Sequence, residues 1–402
     1  MYVYRLRCRA VIRGLFFAGI LLPVAGVHAA ENLERLALCH YTAWHEPFNA
    51  SRTAARFMNF PEFPASGSRM QDYRGEIGLA REQGIDGFLV DIIVKGGDSA
   101  GYAGQMRELL RAAAGTPFLV GPCLDMAHSF RDDPDLRTLA ANLSRIFATA
   151  GASPNFPKVG DKYVLATYTW RQLEPAQWQD LRQRLSDEGF EIFLIANMSH
   201  AFSKLTEQEI LRYAPVCDMI YSFGEYGISG QSIAECFAIY RQAAKEAGRY
   251  WMPVIHPGYV GGWFNGRNDY YQPHRGFDQV YDCFAAIDNK ASDWLHLTTW
   301  NDHDETPLMP MIFEYGSNTE INRAFIDRWK GEPYRTEEPK LFFAYHREEI
   351  LGTVWRLEAL SLPCADAETV RISGKLVDVG GEILHTLTPR ELSMNRFARC
   401  EW

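Results

Sequence analysis

The chain has 402 residues, enough for one large α/β domain with a smaller addition. Its 47% hydrophobic and 23% charged residues are ordinary for a folded enzyme and exclude a disordered chain. A net charge of −9 with no offsetting Lys/Arg stripe excludes a general nucleic-acid binder.

The first thirty residues have the order of a targeting segment. Arg5, Arg7, Arg9 and Arg13 form a basic start, Leu15 to Val27 a short apolar run, and Val27-His28-Ala29 a cleavage signature. The apolar run is short and interrupted by Pro23, so no stable membrane span is expected once the leader is cut. An uncleaved anchor is the alternative. Residues 1–29 are expected to leave as a signal peptide, with the mature protein periplasmic or secreted. After Cys8 departs, Cys39, Cys123 and Cys217 read as buried small hydrophobes, and Cys364 with Cys400 is the one pair to consider for a disulfide.

From Arg35 onward, β-type runs alternate with helical patterns. Strands are expected at Leu36–Tyr41, Gly87–Val94, Phe118–Leu124, Tyr163–Thr169, Ile192–Asn197, Met219–Phe223, Trp251–His256 and Trp294–Thr299. Helices are expected near Tyr73–Gln83, Tyr102–Ala114, Leu136–Ala150, Pro175–Asp187, Glu207–Tyr213, Ser232–Ala247 and Phe277–Lys290. Continuous apolar strands between helices imply a parallel sheet buried on both faces, and eight of them predict an α/β fold of the (β/α)8 TIM-barrel type over residues 30–335. A doubly wound sheet is the rival, but no GxGxxG follows the first strand. Two long loops, Glu46 to Met70 and the aromatic-rich Pro257 to Gly276, read as cleft walls. Residues 336–402 change texture, with strand-like runs at Lys340–Tyr345, Leu351–Leu360, Thr369–Ile372 and Ile383–Leu387 and a turn at Gly380-Gly381. They read as a small all-β appendage, a brace or a carbohydrate-binding module.

Barrel strands deliver their last residues to one face. Those residues are His40 and Tyr41, Asp91, Asp125 with His128, Tyr168 and Trp170, Asn197 with His200, Glu225 with Tyr226, His256 with Tyr259, and Trp300, Asn301, Asp302 and Glu305. Each has a plain alternative: Asp91 as a helix cap, His256 as a satisfied core histidine, the acids after Trp300 as a solvated turn. The last run, Trp300-Asn301-Asp302-His303-Asp304-Glu305-Thr306, is the most informative. Asp302 and Glu305 lie three residues apart, so one bend can aim both carboxyls into a cleft. Glycoside hydrolysis needs such a pair, an acid for the leaving oxygen and a base or nucleophile. A metal-dependent barrel hydrolase using His40, Asp125, His256 and Asp302 is a second reading, although the first strand lacks His-x-His and no HExxH is present. A non-catalytic carbohydrate-binding barrel is a third. No cofactor is expected, and the expected partner is a polysaccharide or glycan.

The runs Leu36 to Tyr41, Ala80 to Asp91, Leu124-Asp125-Met126 and Trp300-Asn301-Asp302 through Glu305 resemble glycoside hydrolase family 71, and more distantly family 99. Family 71 implies a (β/α)8 barrel and endo-α-1,3-glucanase-like activity, with Asp302 and Glu305 matching the catalytic positions of its Trp-Asn-Asp-x-x-Glu element. Family 99, of endo-acting α-mannosidases, has Glu where this chain has Asp302. His303-Asp304 departs from the aromatic and Gly usual in family 71. The resemblance spans about residues 35 to 315. On the glycosidase reading, the strand-end residues His40, Tyr41, Asp91, Asp125, Tyr168, Asn197, Glu225, His256, Tyr259, Trp300 and Asn301 are expected to line a sugar-binding cleft.

Overall fold

Eight strands apolar on both faces, each followed by a helix, set the architecture of the computed structural model. It describes residues 33–44, 66–94, 102–129, 136–199, 206–224, 231–260, 271–272, 277–287, 292–302, 317–345 and 356–402. The strands are β1 (Ala37–Thr42), β2 (Gly87–Ile92), β3 (Leu119–Asp125), β4 (Lys162–Tyr168), β5 (Ile192–Asn197), β6 (Met219–Tyr221), β7 (Tyr250–Met252, continued by Val254–Ile255) and β8 (Leu295–Leu297). The helices are α1 (Arg69–Glu82), α2 (Tyr102–Ala113), α3 (Leu136–Ala150), α4 (Pro175–Asp187), α5 (Glu207–Tyr213), α6 (Ile233–Ala247), α7 (Asp278–Ala286) and α8 (Ser317–Lys330). The expected leader lies outside the described residues. Among the described residues, no helix is long and apolar enough to cross a membrane.

Every neighbouring strand pair from β1 through β8 is parallel, and β8 pairs back onto β1. The ring closes through β7. Its first half pairs with β6 and its second half with β8. Pro253 separates the halves because it has no N–H to give to the ladder. Its carbonyl still accepts from His296 N at 2.8 Å, so the strand runs on across the break.

Side chains alternate across a strand, and this parity sorts the core into two layers. Leu38, Leu89, Cys123, Ala166, Ile195, Tyr221, Met252 and Trp294 form a cluster free of helix residues, which is the barrel interior. Ala37, Cys39, Phe88, Val90, Leu124, Leu165, Leu194 and Leu295 pack outward against Tyr73, Ile77, Met106, Leu143, Leu181 and Phe237 of the helices. Local signals fix the helix ends. α6 begins at a reciprocal Ser232/Glu235 capping box and stops at Gly248, whose φ of 63° is left-handed. Pro175 opens α4, where its missing N–H has no intrahelical partner to lose.

The C-terminal strands are β9 (Leu341–Tyr345), β10 (Leu357–Ser361), β11 (Thr369–Val377), β12 (Ile383–Ser393) and β13 (Ala398–Glu401). β9, β10 and β13 form an antiparallel sheet, and β11 with β12 forms a ribbon. This small β structure docks on the barrel's helices. Phe397 stacks on Phe325 of α8 at 4.5 Å between ring centroids, and Phe325 stacks on Phe284 of α7 at 4.1 Å. Asp278 at the start of α7 takes Arg356 at 2.7 Å and also pairs with Arg399. The considered Cys364–Cys400 disulfide is absent, and both are free thiols. Cys364 is buried beside the Glu337 carbonyl, while Cys400 lies in β13 opposite Ala359.

Candidate active site

The parity that fills the barrel with Leu38, Leu89 and Cys123 brings His40, Asp91 and Asp125 inward one step later on β1, β2 and β3. Tyr168 follows Ala166 on β4, Asn197 follows Ile195 on β5, and Phe223 follows Tyr221 beyond β6. The interior thus turns from apolar to polar towards the C-terminal ends of the strands, where a TIM barrel keeps its active site.

His40 and Asp91 are the best-defined pair, with Nε2 and Oδ2 3.4 Å apart and both side chains buried. Neither His40 Nδ1 nor Asp91 Oδ1 has a hydrogen-bond partner among the described residues. Burial pushes the Asp91 carboxyl up to about 6. The hydrogen bond and charge of His40 act against that rise, and the charges of Asp125 and Asp302 add to it. Three carboxyls therefore share one electrostatic neighbourhood, and Asp91 holds its proton more tightly than an ordinary aspartate does.

Aromatic rings frame this cluster. Phe223 meets the edge of His40 at 4.8 Å between centroids and packs on Tyr168 at 4.8 Å. His296, hidden in the short β8 run and not singled out from the sequence, stands 6.3 Å from His40. Burial, together with the charge of His40, holds its pKa well below the ordinary histidine value. The Thr298 hydroxyl gives its one proton to the Phe223 carbonyl at 2.7 Å, so it accepts from His296 Nδ1 at 3.2 Å. His296 is then the neutral Nδ1–H tautomer, and its bare Nε2 has no partner among the described residues.

The strand-eight element is tied to the end of β1. Trp300 N donates to His40 O at 2.7 Å. Asn301 Oδ1 accepts from Thr42 N at 2.8 Å and Thr42 Oγ1 at 2.9 Å, while its Nδ2 donates to Thr42 O at 3.1 Å. Asp302 follows, 8% exposed, with its N–H on Thr299 Oγ1 at 3.2 Å. Glu305, Glu225, His200, Tyr226 and the side chains of His128 and Tyr259 lie outside the described residues.

Two of the expected cleft residues face the other way. Tyr41, one residue past His40, has the opposite parity and packs on Phe88 in the sheet–helix layer at 5.0 Å between centroids. Trp300 joins the same layer, 5.4 Å from Phe88, and its indole N–H donates to Glu76 of α1 at 3.3 Å. Asn301 acts as a latch on β1. His256, beyond the Pro253 break, bonds with its Nε2 to Gln279 of α7 at 3.1 Å. Asn197 accepts the Ser199 N–H at 2.9 Å and closes the turn after β5. Thr169, next to Tyr168, takes a φ of 55°, a left-handed conformation unusual for a β-branched residue.

Among the described residues, no three His, Cys, Asp or Glu side chains converge as a metal site. The chemistry available to the cluster is proton transfer and hydroxyl binding by carboxyls and imidazoles. Among solved structures, the GH99 endo-alpha-mannosidase from Bacteroides thetaiotaomicron, in complex with BIS-TRIS-Propane, is similar at 17% identity and a TM-score of 0.60, over 74% of this chain and 98% of that one. A second structure of that mannosidase gives 16% and 0.58 over 74% and 98%. A glycoside hydrolase-like protein gives 15% and 0.54 over 77% and 98%. At these identities the likeness is one of fold. No curated protein sequence matches the chain. The model of glycosyl hydrolase family 71 matches residues 52–329, well over half of the molecule. This protein belongs to glycosyl hydrolase family 71 and is a glycoside hydrolase.

Proposed function

We propose that the protein is an exported hydrolase of α-linked glycans of the α-1,3-glucan type, with Asp302 and Glu305 as its reacting pair. The observation that supports this reading best is the position of Asp302. It lies five residues beyond β8, latched to β1 through Trp300 and Asn301, and its charge acts on Asp91 among the buried polar groups of the barrel mouth. In this reading Glu305 protonates the leaving glycosidic oxygen while Asp302 activates water or a neighbouring hydroxyl. A concentration of carboxylates in one mouth favours retention of a proton on one of them, as a general acid requires. Asp91 Oδ1 and His40 Nδ1 are suited to sugar hydroxyls, and Tyr168 offers a ring at the same level. Asp125, Asn197, Glu225, His256 and Tyr259 complete the proposed walls.

The basic, apolar and small-residue order of the leader supports export, with cleavage near Ala29 and a periplasmic or secreted product. The test of the substrate is product analysis across α-1,3-glucan, α-1,4-glucan and α-mannan. The reading expects oligosaccharides from α-1,3-glucan. Binding to all three without any product would instead favour a carbohydrate-binding barrel.

A further inference from the structure

We propose that Glu76, on the inward face of α1, is a positioning residue that sets the active-site mouth from behind by anchoring Trp300 next to Tyr41. The proposal rests on the catalytic reading of Asp302. Glu76 is only 2% exposed, although it is an acid in the middle of a helix. Trp300 Nε1 donates to its Oε2 at 3.3 Å, and Tyr41 acts electrostatically on the same carboxyl. Each of these rings is a lever on the site. Tyr41 adjoins His40 on β1, and Trp300 stands two residues before Asp302. Trp300 N also donates to His40 O, and Asn301 clamps Thr42, so the end of β1 and the strand-eight extension are joined as one piece. Glu76 is where that piece meets the helix layer.

The protonation state fits the role. Burial pushes the Glu76 carboxyl up to about 8, against the pull of Tyr41 and of the Trp300 hydrogen bond, and Asp72 one turn earlier adds to the rise. Among the described residues, Tyr41 from β1 and Asp72 from α1 are the titratable groups acting on it. With a value of about 8, Glu76 at neutral pH is a neutral acid able to donate as well as accept, which a glutamine imitates and a leucine does not. A folded-state value above the ordinary 4.5 means that the stability it gives is full below that value and lost as pH rises through about 8.

The test compares Glu76→Gln, Glu76→Leu and Asp302→Asn, assaying turnover from pH 5 to 9.5 and melting temperature across the same range. Glu76→Gln should keep the neutral-pH kcat and lose the fall in activity and melting temperature near pH 8. Glu76→Leu should fold but lower kcat on the order of 10²-fold with little change in KM, the scale of a small displacement of a reacting group. A folded Glu76→Leu with wild-type kcat would overturn the proposal. If Glu76→Leu does not fold, Glu76→Gln decides: an unchanged alkaline fall overturns the proposal, and its loss supports it. A fully active Asp302→Asn would count against the catalytic reading alone.

Discussion

At the scale of single residues, Asp91 shows how the site departs from an ordinary protein surface. Its carboxyl, ordinarily at 3.8, is held at about 6, chiefly by burial. The folded protein therefore binds that proton more tightly than the unfolded chain does. The stability this gives is full below 3.8 and lost as pH rises through 6, ~3 kcal/mol in all. Asp91→Asn cannot ionise, so its stability relative to wild type should rise between these values and level off above them. Urea midpoints of both proteins at pH 4 and pH 7 measure this, and a constant difference would mean that Asp91 is not buried as an acid. The proposed roles of Glu305 and Asp302 can be separated by leaving group. Glu305→Gln should regain activity on glycosides whose leaving group needs little protonation, whereas Asp302→Asn should not. The opposite pattern in initial rates would exchange the two roles.

At the scale of elements, much of the barrel was legible in the sequence. Ile192–Asn197, Leu136–Ala150, Pro175–Asp187 and Glu207–Tyr213 coincide with the expected spans, because unbroken apolar runs and helical periodicity are local properties. Helix α8 passed unread, although Ile321, Ala324, Phe325 and Trp329 carry its buried stripe at helical spacing. The break at Pro253 was also missed, since the run Trp251–His256 looks continuous until hydrogen bonding is counted. Within the site, strand ends were legible but parity was not fully used. His40 and Tyr41 are adjacent in a strand and cannot both face the interior. Glu76 was invisible because an acid on a helix ordinarily faces water.

Thr169 is a prediction at this scale. Its φ of 55° at the end of β4 costs a β-branched residue on the order of 1–3 kcal/mol. Thr169→Gly should therefore raise stability by about 1 kcal/mol while loosening Tyr168, whose ring meets Phe223 and His40. Denaturant melts check the sign, and a destabilised Thr169→Gly would show that other contacts of Thr169 outweigh the strain.

At the scale of the whole molecule, the C-terminal strands are joined to the barrel by a continuous stack from Phe284 through Phe325 to Phe397 and by two arginines on Asp278. This favours a brace over an independent binding module. Deleting residues 336–402 should expose Phe325 and strip Asp278 of both cations. The cost of a few kcal/mol would lower the melting temperature on the order of 5 °C or prevent soluble expression. A truncated protein with wild-type melting temperature and turnover would identify a separable module instead.

The proposed function puts the glycan chemistry of this family 71 barrel on Asp302, five residues beyond β8. The most direct measurement is release of reducing ends from α-1,3-glucan by wild type and by Asp302→Asn, each first shown to be folded by circular dichroism. Wild type should turn over α-1,3-glucan, and Asp302→Asn should lose roughly 10²–10⁴-fold, the scale of removing a general base. Equal turnover by the two proteins would contradict it, and Asp91 and Asp125 would become the groups to change next.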